Sequence, residues 1–577
     1  MALTKDRPAD VTGDVTDVPT RRRGANPLIL ALVIAGMLLA FGWTFLQDPS
    51  VSAPTRDPAW YTWRSNLIMN DEPGLVAGDW GPFHMFGGGY RVTVPLYGSI
   101  LQRVAGIDLY TFSAFLMVGI PILTGMALGA AAFRRTRDPL LFLLVMLATA
   151  ALFMTTPYVG YLDNITVLFF LAMIYAFFEP GRTSWGARVA LFLLGIVAAY
   201  THPTTCIVFG FSLMAVFGLR VLTSRFHLGP ALKELGPSLM ATGFGMMFGL
   251  ASWLVSPWGV AGSLADAALP PPYTREVFMK RLDGWVDSIQ PQIVVPLMLL
   301  AIGWTIWRAR RDRQPSEQFA TLGTMMLIPL LGMLGWVAGA AYPYYRFMNA
   351  TVAIFALTGL GAYVAVKWLW QREGAAKIAG ALAAVLIVAS FGYIWVNGRE
   401  AAQWSDPENQ WIDQPTRTAL SAVNAVVENA PEDSPVVFVV NFRDEYQSYG
   451  WSKTFTNVSR TGLPGEAVKR SMTYFGDVES FLADEPTVAT DETYNKMSRG
   501  FHRELTELRE EYTGPPLVFL IRQFNEGTTN VDLLDSGDET LLPLGEDIAV
   551  VTGDGLVTPS PEALDDARAA AGLVSAR

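Results

Sequence analysis

Apolar residues dominate the chain in runs of about twenty from residue 27 to 396, broken by short polar stretches. A bilayer core of about 30 Å needs roughly 20 apolar residues per helix. About eleven runs fit, near 27–46, 109–133, 138–156, 164–179, 187–200, 204–223, 236–256, 292–307, 318–341, 348–368 and 377–396. The first is too long for a secretory signal and has no small-residue cleavage pattern, so it reads as an anchored span. Thr201-His202-Pro203 interrupts the stretch 187–223, where the count could change by one. After residue 396 the pattern changes. Short strand candidates at Val436–Asn441, Leu517–Arg522 and Ile548–Thr552 are mixed with an amphipathic helix, Thr416–Asn429, and a charged one, Tyr494–Tyr512.

The polar breaks set an orientation. Arg134-Arg135-Thr136-Arg137, Arg182 to Arg188, Arg220 to Lys233, Arg308-Ala309-Arg310-Arg311 and Lys367 to Lys377 fall in alternate loops, the pattern of cytoplasmic loops. The N-terminus is then cytoplasmic and the C-terminal region extracytoplasmic. Residues 1–26, ending in Arg21-Arg22-Arg23, read as a disordered cytoplasmic leader. The expected class is a polytopic α-helical membrane protein over 27–396, with a C-terminal soluble α/β domain over 397–577. Two outer loops are long. Loop 47–108 carries Trp60, Trp63, Trp80, Phe83 and His84, with a half-apolar run Pro95–Val104 suited to the membrane interface; loop 257–291 holds Pro270-Pro271-Pro272.

Composition narrows the class. Among 577 residues only 16% are charged and mean hydropathy is +0.30, which excludes an ordinary soluble enzyme. The net charge of −10 gathers after residue 400, and no basic stripe suits nucleic acid. The lone Cys206 allows no disulfide within the chain and reads as a small buried hydrophobe.

Ionisable groups at membrane depth or at its edge are costly, so each invites a functional reading. Four share the outer layer: Asp57, Asp163 in the turn before the fourth run, His202, and Arg346 before the tenth. A carboxylate there could take a proton from a hydroxyl attacking a sugar's anomeric carbon. A second could help hold Mg²⁺ or Mn²⁺, and an arginine could neutralise a phosphate leaving group. Histidine could donate to that phosphate or to a sugar hydroxyl. Structural roles stay open beside these. Asp163-Asn164 and Asp57-Pro58 could cap helices, Arg346 could snorkel to headgroups, and His202-Pro203 could be a satisfied helix break.

The run Asp57-Pro58-Ala59-Trp60-Tyr61-Thr62-Trp63-Arg64 resembles the first outer loop of GT-C superfamily integral-membrane glycosyltransferases, as in oligosaccharyltransferase catalytic subunits. Gly81-Pro82-Phe83-His84 through Pro95-Leu96-Tyr97 is similar to the second half of that loop, and the likeness to the group, which includes mannosyl- and arabinosyltransferases, covers about 27–396. It implies Asp57 as catalytic base and, with Asp163, metal-site acid. It implies Arg346 and His202 at the donor phosphate, and Tyr61, Arg64, His84 and Tyr345 as substrate contacts. The Trp-Trp-Asp-Tyr-Gly acceptor motif is absent, as is a double acid at Asp57, which turns expectation away from protein N-glycosylation.

The implied activity is inverting transfer of a hexose or pentose from a polyprenyl-phosphate donor to a glycan, lipid or cell-wall acceptor. It would take place on the outer face of a bacterial plasma membrane, in cell-envelope assembly, with a divalent cation as candidate cofactor. The rival readings are a multi-span transporter and a non-catalytic scaffold displaying the tail.

Overall fold

The computed structural model describes residues 61, 65, 93–107, 109–136, 138–153, 162–178, 184–223, 226–255, 290–311, 352–372, 374–404, 422–440, 467, 470–475, 481, 506, 508, 510–521, 540–544 and 548–570. The leader, the runs at 27–46 and 318–341, most of both long outer loops and the linker after Trp404 lie outside these residues.

The helices follow the apolar runs. In chain order they are α1 (Thr93–Ala105), α2 (Leu109–Thr136), α3 (Pro139–Phe153), α4 (Leu162–Phe177), α5 (Trp185–Thr201), α6 (Pro203–Thr223), α7 (Leu228–Val255), α8 (Pro291–Arg311), α9 (Val352–Trp370) and α10 (Ala375–Trp404). The stretch 187–223 is therefore two helices, meeting at His202. That residue is extended (φ −154°, ψ 90°), and Pro203 begins α6, where its missing N–H costs no helix bond. By length and composition, one described helix window, Ala375–Val396, is apolar enough to cross a bilayer; several shorter apolar helices accompany it.

Packing makes one bundle. α3 lies against α2, α9 and α10; α4 bridges α2 and α5; α7 packs on α5; α8 packs on α9. Small residues let these backbones approach. At Gly359 a Cβ would lie 2.5 Å from the Val145 Cα, and at Gly361 it would run into the Leu297 carbonyl. Gly361→Ala is accordingly expected to cost about 1–3 kcal/mol by overpacking. Thermal unfolding of the purified protein in detergent measures it, and an unchanged midpoint would contradict the packing. The opposite side of α10 turns apolar groups outward: Ile378, Leu382, Val385 and Leu386 are exposed at helical spacing.

At one end of the bundle, Asp138 caps α3 through the Leu140 N–H (3.1 Å). Its other oxygen accepts from the Tyr363 hydroxyl (2.8 Å) and the Lys367 ammonium (2.7 Å), tying α3 to α9. α1 lies at the opposite end, against α2, α4 and α5.

The C-terminal region forms a five-stranded sheet of β1 (Val436–Val440), β2 (Ser471–Phe475), β3 (Leu517–Ile521), β4 (Thr540–Pro543) and β5 (Ile548–Thr552), followed by α11 (Pro561–Ala570). The order is β2-β1-β3-β5-β4, with β1 parallel to β2 and β3, and β5 antiparallel to β3 and β4. Alternation of side chains gives the sheet two apolar faces. Val436, Phe438, Leu517 and Phe519 face helical residues 422–428 and α11, whereas Val437, Val439, Val518 and Leu520 join Phe481 and Leu508 on the other side. Burial on both faces explains why Val-Val-Phe-Val-Val is apolar throughout. β1, β3 and β5 fall where the sequence predicts strands. β2 and β4 carry Ser471, Thr473 and Thr540 in short segments and give little sequence signal.

Candidate functional site

The end of the bundle that holds α1 also holds a layer of buried polar side chains. Ser65, Ser99, Asp163, Thr166, Thr201, His202 and Thr205 are each no more than 5% exposed. They come from distant segments brought together by the packing of α1, α4, α5 and α6.

Asp163 stands in the first turn of α4, where the helix dipole favours a negative charge. His202 stands at the α5–α6 joint. Their side chains approach to 3.9 Å between Asp163 Oδ2 and His202 Nε2, and both are at most 1% exposed. The sequence placed these two residues in one layer; the fold makes them neighbours.

The joint also sets the imidazole. Because Pro203 starts α6 immediately after His202, the Thr205 backbone N–H falls beside the ring and donates to Nδ1 at 3.2 Å. The Thr205 hydroxyl lies 2.9 Å from the same nitrogen. Assigned from this network, Nδ1 is the acceptor and the ring proton sits on Nε2, facing Asp163. Thr205 was not among the residues expected from sequence. Its signal is the spacing His-Pro-x-Thr, which puts a donor one helical turn past a histidine at a helix start.

Loop 47–108 reaches this layer through Tyr61 and Ser65. Tyr61, an expected substrate contact, is fully buried. The Ser65 hydroxyl joins the carbonyls of Tyr61 and Pro95, each at 2.9 Å, which docks this segment on α1. Tyr97, further along α1 and outside the spans, is half-buried with its hydroxyl shut away from solvent, and has Thr166 and Asp163 as electrostatic neighbours. Burial pushes its phenol well above the usual range, so it stays an O–H donor. Sequence reading quoted Tyr97 without giving it a role. Cys206 is buried, as a small hydrophobe should be. Asp57, Arg64, His84, Tyr345 and Arg346 lie outside the described residues.

For a divalent cation, Asp163 offers hard oxygen atoms. His202 turns an N–H, not a lone pair, toward it. Among the described residues no group of three or more His, Cys, Asp or Glu converges. Of the two carboxylates expected to hold a cation, Asp163 stands in this layer and Asp57 lies outside the described residues.

The helical bundle, with an amphipathic helix packed at one end and a buried acid–imidazole pair beside it, has a fold shared with a solved structure. The particular likeness is to ArnT from Cupriavidus metallidurans bound to undecaprenyl phosphate. That structure superposes with a TM-score of 0.50 at 13% identity, over 92% of this chain and 100% of that one. The apo state of the same protein gives 0.48 at 13% identity, over 92% and 99% of the two chains. An Archaeoglobus fulgidus oligosaccharyltransferase in complex with Zn and sulfate gives 0.43 at 14%, over 86% and 68%. No family model matches the sequence, and neither does any curated protein.

Proposed function

We propose that this protein is a membrane glycosyltransferase that moves a sugar from a polyprenyl-phosphate carrier to a glycan, lipid or cell-wall acceptor on the outer face of the plasma membrane. The observation that carries the reading is the buried Asp163–His202 pair, under an α1 that anchors the loop bearing Asp57. It sits in a fold shared with a protein that was crystallised with undecaprenyl phosphate.

In this reading Asp57, four residues before the buried Tyr61, removes the acceptor hydroxyl's proton as its oxygen bonds to the anomeric carbon. The bond from that carbon to the phosphate breaks, and the configuration inverts. Arg346 neutralises the departing polyprenyl phosphate. Tyr61, Arg64, His84 and Tyr345 shape the substrate cleft, and His202 supplies a fixed N–H donor. Were Mg²⁺ or Mn²⁺ bound, Asp57 and Asp163 would hold it, and it would supply positive charge to offset that of the phosphate. The C-terminal sheet, with its own apolar cores, is the part suited to holding an acceptor outside the membrane.

The test is profiling of lipid-linked sugars in a strain lacking the gene. A lipid-linked donor should accumulate, or an envelope glycan should be truncated. Accumulation of a small solute with normal glycans would overturn the reading in favour of transport.

A further inference from the structure

We infer that the turn between α9 and α10 is a binding site for an anionic phospholipid of the bilayer, such as phosphatidylglycerol. Arg372 and Lys377 take the headgroup phosphate, and the outward face of α10 takes an acyl chain.

The turn is tightly built. α9 ends at Trp370 and α10 begins at Ala375, and Gly374 (φ +67°) supplies the left-handed residue between them. The Arg372 N–H bonds to the Leu369 carbonyl (3.2 Å), and the Lys377 N–H to that of Gly374 (3.0 Å). Further along α10, Gly380 is pressed against α9, where a Cβ would lie 3.0 Å from the Trp370 nitrogen. The backbone that carries Arg372 and Lys377 is thus held in place before any ligand arrives.

The cations here are of two kinds. Lys367 is committed to the bundle, bonded to Asp138 and to the Tyr363 hydroxyl. Arg372 and Lys377 are exposed, and among the described residues no carboxylate forms an ion pair with either. Glu373, the acid of this turn, lies outside those residues. The Arg372 guanidinium lies over the Trp368 ring, 3.9 Å from its centre. A guanidinium held over a ring still has N–H groups at its rim, and they suit the oxygens of a phosphate. Trp368 and Trp370 are 57% and 50% exposed, and tryptophan favours the boundary of a membrane.

The surface beyond the cations decides which anion fits. Ile378 follows Lys377 directly, and Leu382, Val385 and Leu386 continue the exposed stripe along α10. They belong to Ala375–Val396, the described window long and apolar enough to cross a bilayer. A soluble phosphate would use the cations and leave the stripe bare. A lipid without net charge would cover the stripe and leave the cations unmatched. An anionic phospholipid satisfies both, with its charge at the turn and a chain along the helix. The Lys367–Asp138 bond places the turn at the end of the bundle opposite α1. This lipid is therefore distinct from a sugar carrier beside Asp163 and His202.

The test uses the full chain, delipidated in detergent and titrated with phosphatidylglycerol or phosphatidylcholine, with bound lipid counted by native mass spectrometry. Phosphatidylglycerol is expected to bind the more tightly. Arg372→Gln and Lys377→Gln should each weaken it by roughly fivefold, the effect of one cation at a membrane surface. Binding of phosphatidylcholine should not change, which is the control for folding. Lys233→Gln removes an exposed cation from α7 and should leave both lipids at wild-type strength.

Four results would each overturn the proposal. Wild-type protein with no preference for phosphatidylglycerol would make α10 an ordinary lipid-facing helix. Unchanged binding in both turn variants would remove Arg372 and Lys377 from the contact. An equal loss in Lys233→Gln would mean diffuse attraction to a basic face. Displacement of phosphatidylglycerol by inorganic phosphate at equal concentration would mean a site for the free ion.

Discussion

Asp57→Asn is expected to lower sugar transfer by roughly a hundred- to ten-thousandfold, the usual contribution of a positioned general base. Abundance and melting temperature should stay at wild-type values. The amide keeps the carboxylate's shape and removes only its ability to take the acceptor's proton. The expectation rests on placement. Asp57 precedes Tyr61 by four residues, and Tyr61 is buried in a segment that Ser65 docks on α1. α1 in turn packs on α4 and α5, the helices that present Asp163 and His202. Single-turnover transfer from a radiolabelled polyprenyl-phosphate sugar, in proteoliposomes, measures the effect. A variant that keeps full activity would remove Asp57 from the chemistry and leave the run Asp57 to Arg64 as a turn and a cap.

Asp163→Asn should reduce kcat/KM by about ten- to a hundredfold, since a hydrogen bond to a charged group in a buried site contributes about 1.5–3 kcal/mol. The argument differs from that for Asp57. Asp163 lies in the first turn of α4 and is fully buried, so its charge is stabilised by the helix and is felt strongly nearby. The asparagine retains the carboxylate's volume and keeps a carbonyl oxygen, so folding should survive. What it loses is the anionic acceptor. Comparing kcat/KM with thermal unfolding separates the two contributions. A large loss of stability with unchanged turnover per folded molecule would make Asp163 a structural cap.

The bundle was legible because long apolar runs, separated by short polar breaks, repeat along the chain. Nine of the apolar runs, from 109–133 to 377–396, meet α2 to α10, with ends shifted by up to eight residues. The runs at 27–46 and 318–341 lie outside the described residues. The pair Asp163–His202 was legible by depth alone. Hydropathy reports which residues stand at the ends of apolar runs and says nothing of lateral position, which depends on which helices touch. Tyr97 and Thr205 were missed for a related reason. A tyrosine in an amphipathic helix is common at an interface, and the N–H that holds His202 belongs to the backbone, which every residue carries. In the C-terminal sheet, Val436–Val440 stood out as an unbroken apolar run, buried from Val436 to Val439, whereas Thr540–Pro543 is half exposed and only four residues long.

The α5–α6 joint constrains how this architecture can vary. The His202 N–H still bonds back to Ala198, and the His202 carbonyl accepts from Cys206, each near 3 Å, so the elbow leaves no slack between the two rods. Adding one residue there would turn α6 about 100° around its own axis, swapping inward for outward faces. Thr205 would swing off the imidazole and Cys206 off its buried seat together. Changes of length in such proteins are thus steered away from this joint.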